Sequence, residues 1–120
     1  MEENKTNTSP DPVAYCEKQY PEMMKAFKNI LENDYKVFCK KQMDYGPGNI
    51  ALGTTLATED ERKMSLTGLI IRMNDKVQRL LNLVVKTNRK PQNESVEDAF
   101  QDLSVYGVIS RIVSENKWAK

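Results

Sequence analysis

The chain has 120 residues, with 18 Lys+Arg against 17 Asp+Glu, two cysteines and no histidine. A formal charge of +1 offers no global field to a nucleic-acid backbone or a membrane surface, so any charge logic must be local. The absence of His removes the commonest general base and every Ser-His or Cys-His arrangement. Cys16 and Cys39, which lack CxxC spacing, read as reduced, partly buried thiols and not as zinc ligands.

Residues 1 to 10 are rich in Asn, Thr and charge without periodic apolar positions, the composition of a disordered tail; residues 11 to 120 are expected to form one helical domain. Asp11-Pro12 has the form of an N-cap followed by proline at the first helical position, opening a short helix that carries Val13, Cys16 and Tyr20 inward until Pro21. From Pro21, apolar residues at Met24, Phe27, Ile30, Leu31, Tyr35, Phe38 and Cys39 recur at three- and four-residue steps and predict a long helix to about Met43. DYGPGN ends it, because Gly46 can adopt a left-handed cap and Pro47 forbids continuation.

The stretch from Asn49 to Met64 reads mostly as loop with short turns. Ser65 begins the second long helix, whose apolar rhythm of Leu66, Leu69, Ile70, Met73, Val77, Leu80, Leu81 and Val84 runs to about Lys86. After the polar link TNRKPQN, Asn93 or Ser95 caps a third long helix with Glu94, Glu97 and Asp98 in its first turn. Val96, Ala99, Phe100, Leu103, Tyr106, Ile109, Ile112 and Val113 supply its buried stripe, and it is expected to end near Lys117. Trp118 reads as packing at that helix end or as a cover for a neighbouring subunit. The fold class is all-α: three long helices plus a short N-terminal one, with dimerisation completing a core that a domain of this size covers poorly by itself. No apolar run reaches the ~18 residues of a membrane span and the N-terminus lacks a signal peptide's apolar centre, so a soluble intracellular protein is expected.

Three clusters carry candidate chemistry. Arg72, Asp75, Lys76 and Arg79 fall within roughly 100° of helical arc. An Asp75–Arg79 pair at i, i+4 would hold the guanidinium, leaving Arg72 and Lys76 free for phosphate oxygens; the alternative is a solvated charged face. Glu94, Asp98 and Asp102 form an i, i+4, i+8 row of carboxylates whose mutual repulsion asks for a cation. That cation is either Mg²⁺, with Asp75 as a fourth ligand, or the basic row itself. Around DYGPGN, Lys41, Asp44, Tyr45 and Asn49 supply a cation, an acceptor, a ring and an amide that suit a sugar and a base, with Gly46 and Gly48 allowing close backbone approach; helix capping alone also accounts for the motif.

Together, KQMDYGPGNI, LTGLIIRMNDKVQRLLNL and ESVEDAFQDLSVYGVI with a closing KW resemble the nucleotide modification associated domain 1 family, small proteins common in bacteriophages. The resemblance covers about Tyr35 to Trp118 and rests on Asp75, Lys76, Arg79, Glu94, Asp98, Asp102 and Tyr106. It implies a phage protein connected to nucleotide chemistry, in the cytoplasm of the infected host; with the charged rows, this leads to the expectation of a phosphate-binding groove between the second and third long helices, with Tyr45 and Tyr106 as stacking rings. More loosely, the arrangement is similar to MazG-type all-α nucleotide pyrophosphohydrolases, whose paired acidic helices hold Mg²⁺ against a triphosphate. The second long helix here departs from that pattern by offering only Asp75 among three cations. Three readings follow: a nucleotide-binding protein without turnover, which could sequester a cyclic-nucleotide or ADP-ribose-type defence signal; a Mg²⁺-dependent pyrophosphohydrolase; and a structural or assembly factor whose charged rows only tie helices together.

Overall fold

Asp11 caps the first helix as its spacing predicts: its carboxylate accepts the Ala14 backbone N–H at 2.9 Å, and α1 runs Pro12–Gln19. Pro21 restarts the chain as α2, Pro21–Tyr45, two residues longer than expected. Gly46 follows in the left-handed conformation at φ 69, where a side chain would be strained, and closes α2 by donating its N–H to Gln42 O. The computed structural model describes residues 9 to 120, so residues 1 to 8 of the expected tail lie outside the described residues. The helical part expected as one domain divides into two compact units, the described residues up to Tyr35 and Lys36–Lys120, and α2 belongs partly to each.

In the first unit the expected buried stripe is not buried. Val13, Tyr20, Phe27, Ile30, Leu31 and Tyr35 are all exposed, while Cys16 and Met24 are half-buried. The physical reason is size: α1 has barely two turns and no buried residue, so it covers little of the longer helix that follows. In the second unit, Cys39 is exposed too, and only Phe38 of that stripe packs against the core.

The stretch read as loop is partly helical. Gly48–Ala51 forms the single turn α3, which buries Ile50 and Ala51, and α4 begins at Glu59, six residues before Ser65. A capping box starts α4: the Thr58 hydroxyl accepts from Glu61 N–H at 3.1 Å, and the Glu61 carboxylate accepts from Thr58 N–H at 3.3 Å. The same carboxylate also accepts from Ala57 N–H, and Arg62 donates to the carbonyls of Leu56 and Ala57. Helix α4 runs Glu59–Leu80 and continues through Leu81–Lys86 as a π-helical segment, whose wider i→i+5 turn closes with Thr87 N–H donating to Asn82 O.

Ser95 opens α5, Val96–Ser114, through a second capping box: its hydroxyl accepts from Asp98 N–H at 3.1 Å and Asp98 accepts from Ser95 N–H at 3.3 Å. Helix α5 therefore starts after Glu94 and stops three residues short of Lys117. It packs antiparallel to α4, as the cross-links Lys76–Asp102 and Arg79–Ser95 show by running in opposite senses along the two helices. Leu69, Ile109 and Val113 from this pair join Ile50, Ala51, Leu56 and Trp118 in the core. Ser65 is buried and donates its hydroxyl to Ile50 O at 2.7 Å, which ties α3 to α4 without an unpaired polar group. The fold of the described residues is all-α, and no described helix is long and apolar enough to cross a membrane.

Candidate ligand-binding pocket

Four helices of the second unit converge on one cavity. Phe38, Lys41, Gln42 and Tyr45 enter from the last two turns of α2, at spacings that share one helical face. Asn49 and Ile50 come from α3, Arg72 from α4, and Asp102, Val105, Tyr106 and Ile109 from α5. The cavity measures about 230 Å³. Phe38, Ile50, Val105 and Ile109 supply its apolar lining, and its polar groups are a guanidinium, an ammonium, two amides, two phenols and one carboxylate.

Of the predicted site residues, this pocket brings together Lys41, Tyr45, Asn49, Arg72, Asp102 and Tyr106. Asp44 and Gly46 do not line it: Asp44 follows Lys41 by three residues yet is exposed, and Gly46 serves the helix end. Gln42 and Phe38 escaped the sequence reading, although their place one turn before Tyr45 and one turn before Lys41 is a legible helical signal.

Asp102 is the electrostatic centre. Its side chain is 14% exposed and its two oxygens face two ammonium groups, Lys76 Nζ at 2.9 Å and Lys41 Nζ at 3.4 Å. Lys76 also reaches Glu94 at 3.4 Å. Lys76 is therefore not free to meet a phosphate, which corrects the expectation drawn from its helix face. Arg79 is likewise engaged: it donates to the backbone carbonyls of Glu94 and Ser95, and no ion pair joins it to Asp75 among the described residues. A guanidinium is drawn there because the chain turning into α5 presents two carbonyls together, and its planar fork satisfies both. Arg72, by contrast, has no ion-pair partner among the described residues and faces the cavity half-buried.

The acidic row is also rearranged. Glu94 precedes the helix, Asp98 is committed to the Ser95 capping box, and Asp102 sits beneath two ammoniums. No group of three or more His, Cys, Asp or Glu side chains among the described residues is arranged to hold a metal ion. Of the four carboxylates expected to hold Mg²⁺, Asp98 is engaged by a backbone N–H and Asp102 and Glu94 by lysines.

The hydrogen bond to Asp102 raises the Lys76 pKa above its ordinary 10.5, with the Asp102 and Glu94 charges adding to it and burial opposing it. The charged ammonium is thus favoured in the folded state, so its stabilisation is fully present below pH 10.5 and is lost as pH rises through the higher folded value. In denaturant titrations, Lys76→Gln should be about 1 kcal/mol less stable than the native chain at pH 8. That gap should narrow steadily above pH 10.5.

No protein-family model matches the chain, and comparisons with curated proteins and with solved structures give no significant match.

Proposed function

We propose that the chain binds a phosphorylated, nucleotide-type ligand in the pocket of its second unit and does so directly through protein cations. The supporting observation is the convergence of Arg72, Lys41, Tyr45, Tyr106 and the amides of Gln42 and Asn49 on one cavity. Arg72 supplies a planar fork for two phosphate oxygens, and Lys41, exposed and held only at 3.4 Å from Asp102, can turn toward a stronger anion. The tyrosine rings offer faces to a base, and the amides present both donors and acceptors to its edge. A volume of about 230 Å³ lies just below the range usual for complete small-molecule sites, so the pocket encloses one part of the ligand while the rest extends outward.

Nucleotide over other phosphorylated molecules rests on the resemblance of the three motifs to the phage family. Binding over hydrolysis is supported by the engagement of three of the four candidate carboxylates, Asp98 in the Ser95 cap and Asp102 and Glu94 with the lysines.

Isothermal titration with a panel of nucleoside mono-, di- and triphosphates and cyclic nucleotides tests this reading. Arg72→Ala should weaken the tightest binder about 10- to 100-fold, the value of one charge-assisted pair. Its thermal melting should stay within a few degrees of the native chain, because Arg72 ties no helices together. Absence of binding by the whole panel, or equal affinity for the native chain and Arg72→Ala, refutes the assignment; pyrophosphate release from a bound triphosphate refutes binding without turnover.

A further inference from the structure

The lining of the pocket in the second unit divides by exposure. Lys41, Tyr45 and Asn49 are exposed and form its rim, while Gln42, Arg72, Asp102 and Tyr106 are half-buried and lie further in. Among the described residues, the side chains of Gln42, Arg72 and Tyr106 make no hydrogen bond or ion pair within the protein. Polar groups withdrawn from solvent normally find a partner, so three that share one cavity without one mark where a ligand's polar atoms belong. Asp102 differs from them, since both of its oxygens already face lysines.

Resting on the nucleotide-binding reading above, we propose that the ligand enters phosphate first. A terminal phosphate monoester sits on the Arg72 guanidinium, the Gln42 amide N–H and the Tyr106 hydroxyl, and the sugar and base stay at the rim against Tyr45 and Asn49. The ligand class is then an open-chain nucleotide ending in a free phosphate, and not a cyclic one. Arg72 offers donors alone, so only acceptor atoms satisfy it. A base enclosed over it would meet it with one edge at most and strip water from a guanidinium without supplying a counter-charge; a phosphate supplies the charge and paired oxygens together. Lys76 at 2.9 Å offsets the Asp102 carboxylate, which leaves the positive charges of Arg72 and Lys41 in the lining. A phosphate monoester carries about −1.5 to −2 at neutral pH and matches that pair, whereas a cyclic diester carries a single charge. At about 230 Å³ the cavity does not hold a whole nucleotide, so one end stays outside. Tyr45, 67% exposed on the last turn of α2, is placed to stack on that end.

Isothermal titration of the native chain with four sets of probes tests the order of entry: the 5′-monophosphates of the common nucleosides, their 3′,5′-cyclic monophosphates, the nucleosides themselves, and ribose 5-phosphate. The tightest 5′-monophosphate should bind about 10-fold or more above its cyclic counterpart, the value of one hydrogen bond to a charged group. Ribose 5-phosphate should keep much of that affinity, and the nucleosides should bind too weakly to titrate. Two variants then separate interior from rim. Gln42→Leu should weaken the 5′-monophosphate and ribose 5-phosphate alike by about 10-fold, and Tyr45→Ala should erase the advantage of the 5′-monophosphate over ribose 5-phosphate. Cyclic monophosphates that match the 5′-monophosphates would overturn phosphate-first entry while leaving nucleotide binding standing, and nucleosides that match them would overturn it by placing the base inside. Retention of ribose 5-phosphate with failure of every nucleotide would do the reverse, removing nucleotide binding and keeping the phosphate site. Binding of none of the probes would remove both.

Discussion

Trp118→Ala should lower the free energy of unfolding by about 3–5 kcal/mol, the cost of emptying an aromatic site in a packed core. Trp118 lies beyond the end of α5, yet it is only 6% exposed and belongs to the same cluster as Leu69, Ile109 and Val113. Its ring meets Phe38 of α2 edge-on with centroids 6.0 Å apart, and its Nε1 donates to Pro47 O at 3.0 Å. Three elements therefore converge on one indole: the end of α2, the turn before α3 and the segment after α5. Asn116, at φ 57, turns the chain so that the indole can reach them. Trp118→Phe separates the contributions. It keeps the edge contact and most of the apolar burial but loses the Nε1 hydrogen bond to Pro47 O, which the Ile50 and Ala51 N–H groups still satisfy, so its cost should be only about 1 kcal/mol beyond lost volume. Urea denaturation followed by circular dichroism measures both. A loss under 1 kcal/mol for Trp118→Ala would mean that the C-terminal segment does not close the core.

Local chemistry was legible in the sequence wherever one residue decides the backbone. Asp11 before Pro12, Gly46 before Pro47 and Ser95 three residues before Asp98 each announce a helix boundary that the structure contains. The boundary before α4 carried an equally plain signal, Thr58 with Glu61 three residues on, but the charged run around it hid the helix start. Periodicity identified apolar faces without saying what covers them. Phe27, Ile30 and Leu31 on α2, and Ile70 and Val77 on α4, fit a 3.6-residue rhythm as well as Leu69 does, yet only Leu69 is buried. Burial depends on a neighbour's position, which no single helix encodes.

The same limit governs the pocket. Residue types on α2 and α5 marked Lys41, Tyr45, Asp102 and Tyr106 as candidates. Which cation meets which carboxylate is set by the registry of α4 against α5, and the spacing within one helix, Asp75 to Arg79, pointed to the wrong pair. An i, i+4 pairing on an exposed helix contributes only a few tenths of a kcal/mol, so the two backbone carbonyls at Glu94 and Ser95 outbid it for Arg79.

Asp102→Asn should produce two opposed effects in one protein, a looser fold and tighter phosphate binding. The carboxylate is the common partner of Lys76 and Lys41, and the amide that replaces it keeps the shape but removes the charge. Lys76, with 23% of its side chain exposed, is then left half-buried beside a neutral group, and the unfolding free energy should drop by about 2–3 kcal/mol, less than for a fully buried pair because solvent still reaches the ammonium. Lys76→Met in the Asp102→Asn background should recover part of that loss, since an uncharged side chain no longer needs a counter-ion; the double-mutant cycle should give a coupling of about 1–2 kcal/mol. In the pocket the sign is reversed. Removing one negative charge beside Arg72 and releasing Lys41 raises the local positive potential, so affinity for inorganic phosphate or a nucleotide should increase severalfold at low ionic strength, and the gain should shrink in salt as surface charges are screened. If Asp102 instead held a metal that in turn held phosphate, the same substitution would abolish binding. Titration of Asp102→Asn with phosphate, with and without added Mg²⁺, therefore distinguishes a cationic pocket from a metal-bridged one: tighter binding that is indifferent to Mg²⁺ fits the first, and loss of a Mg²⁺-dependent affinity requires the second.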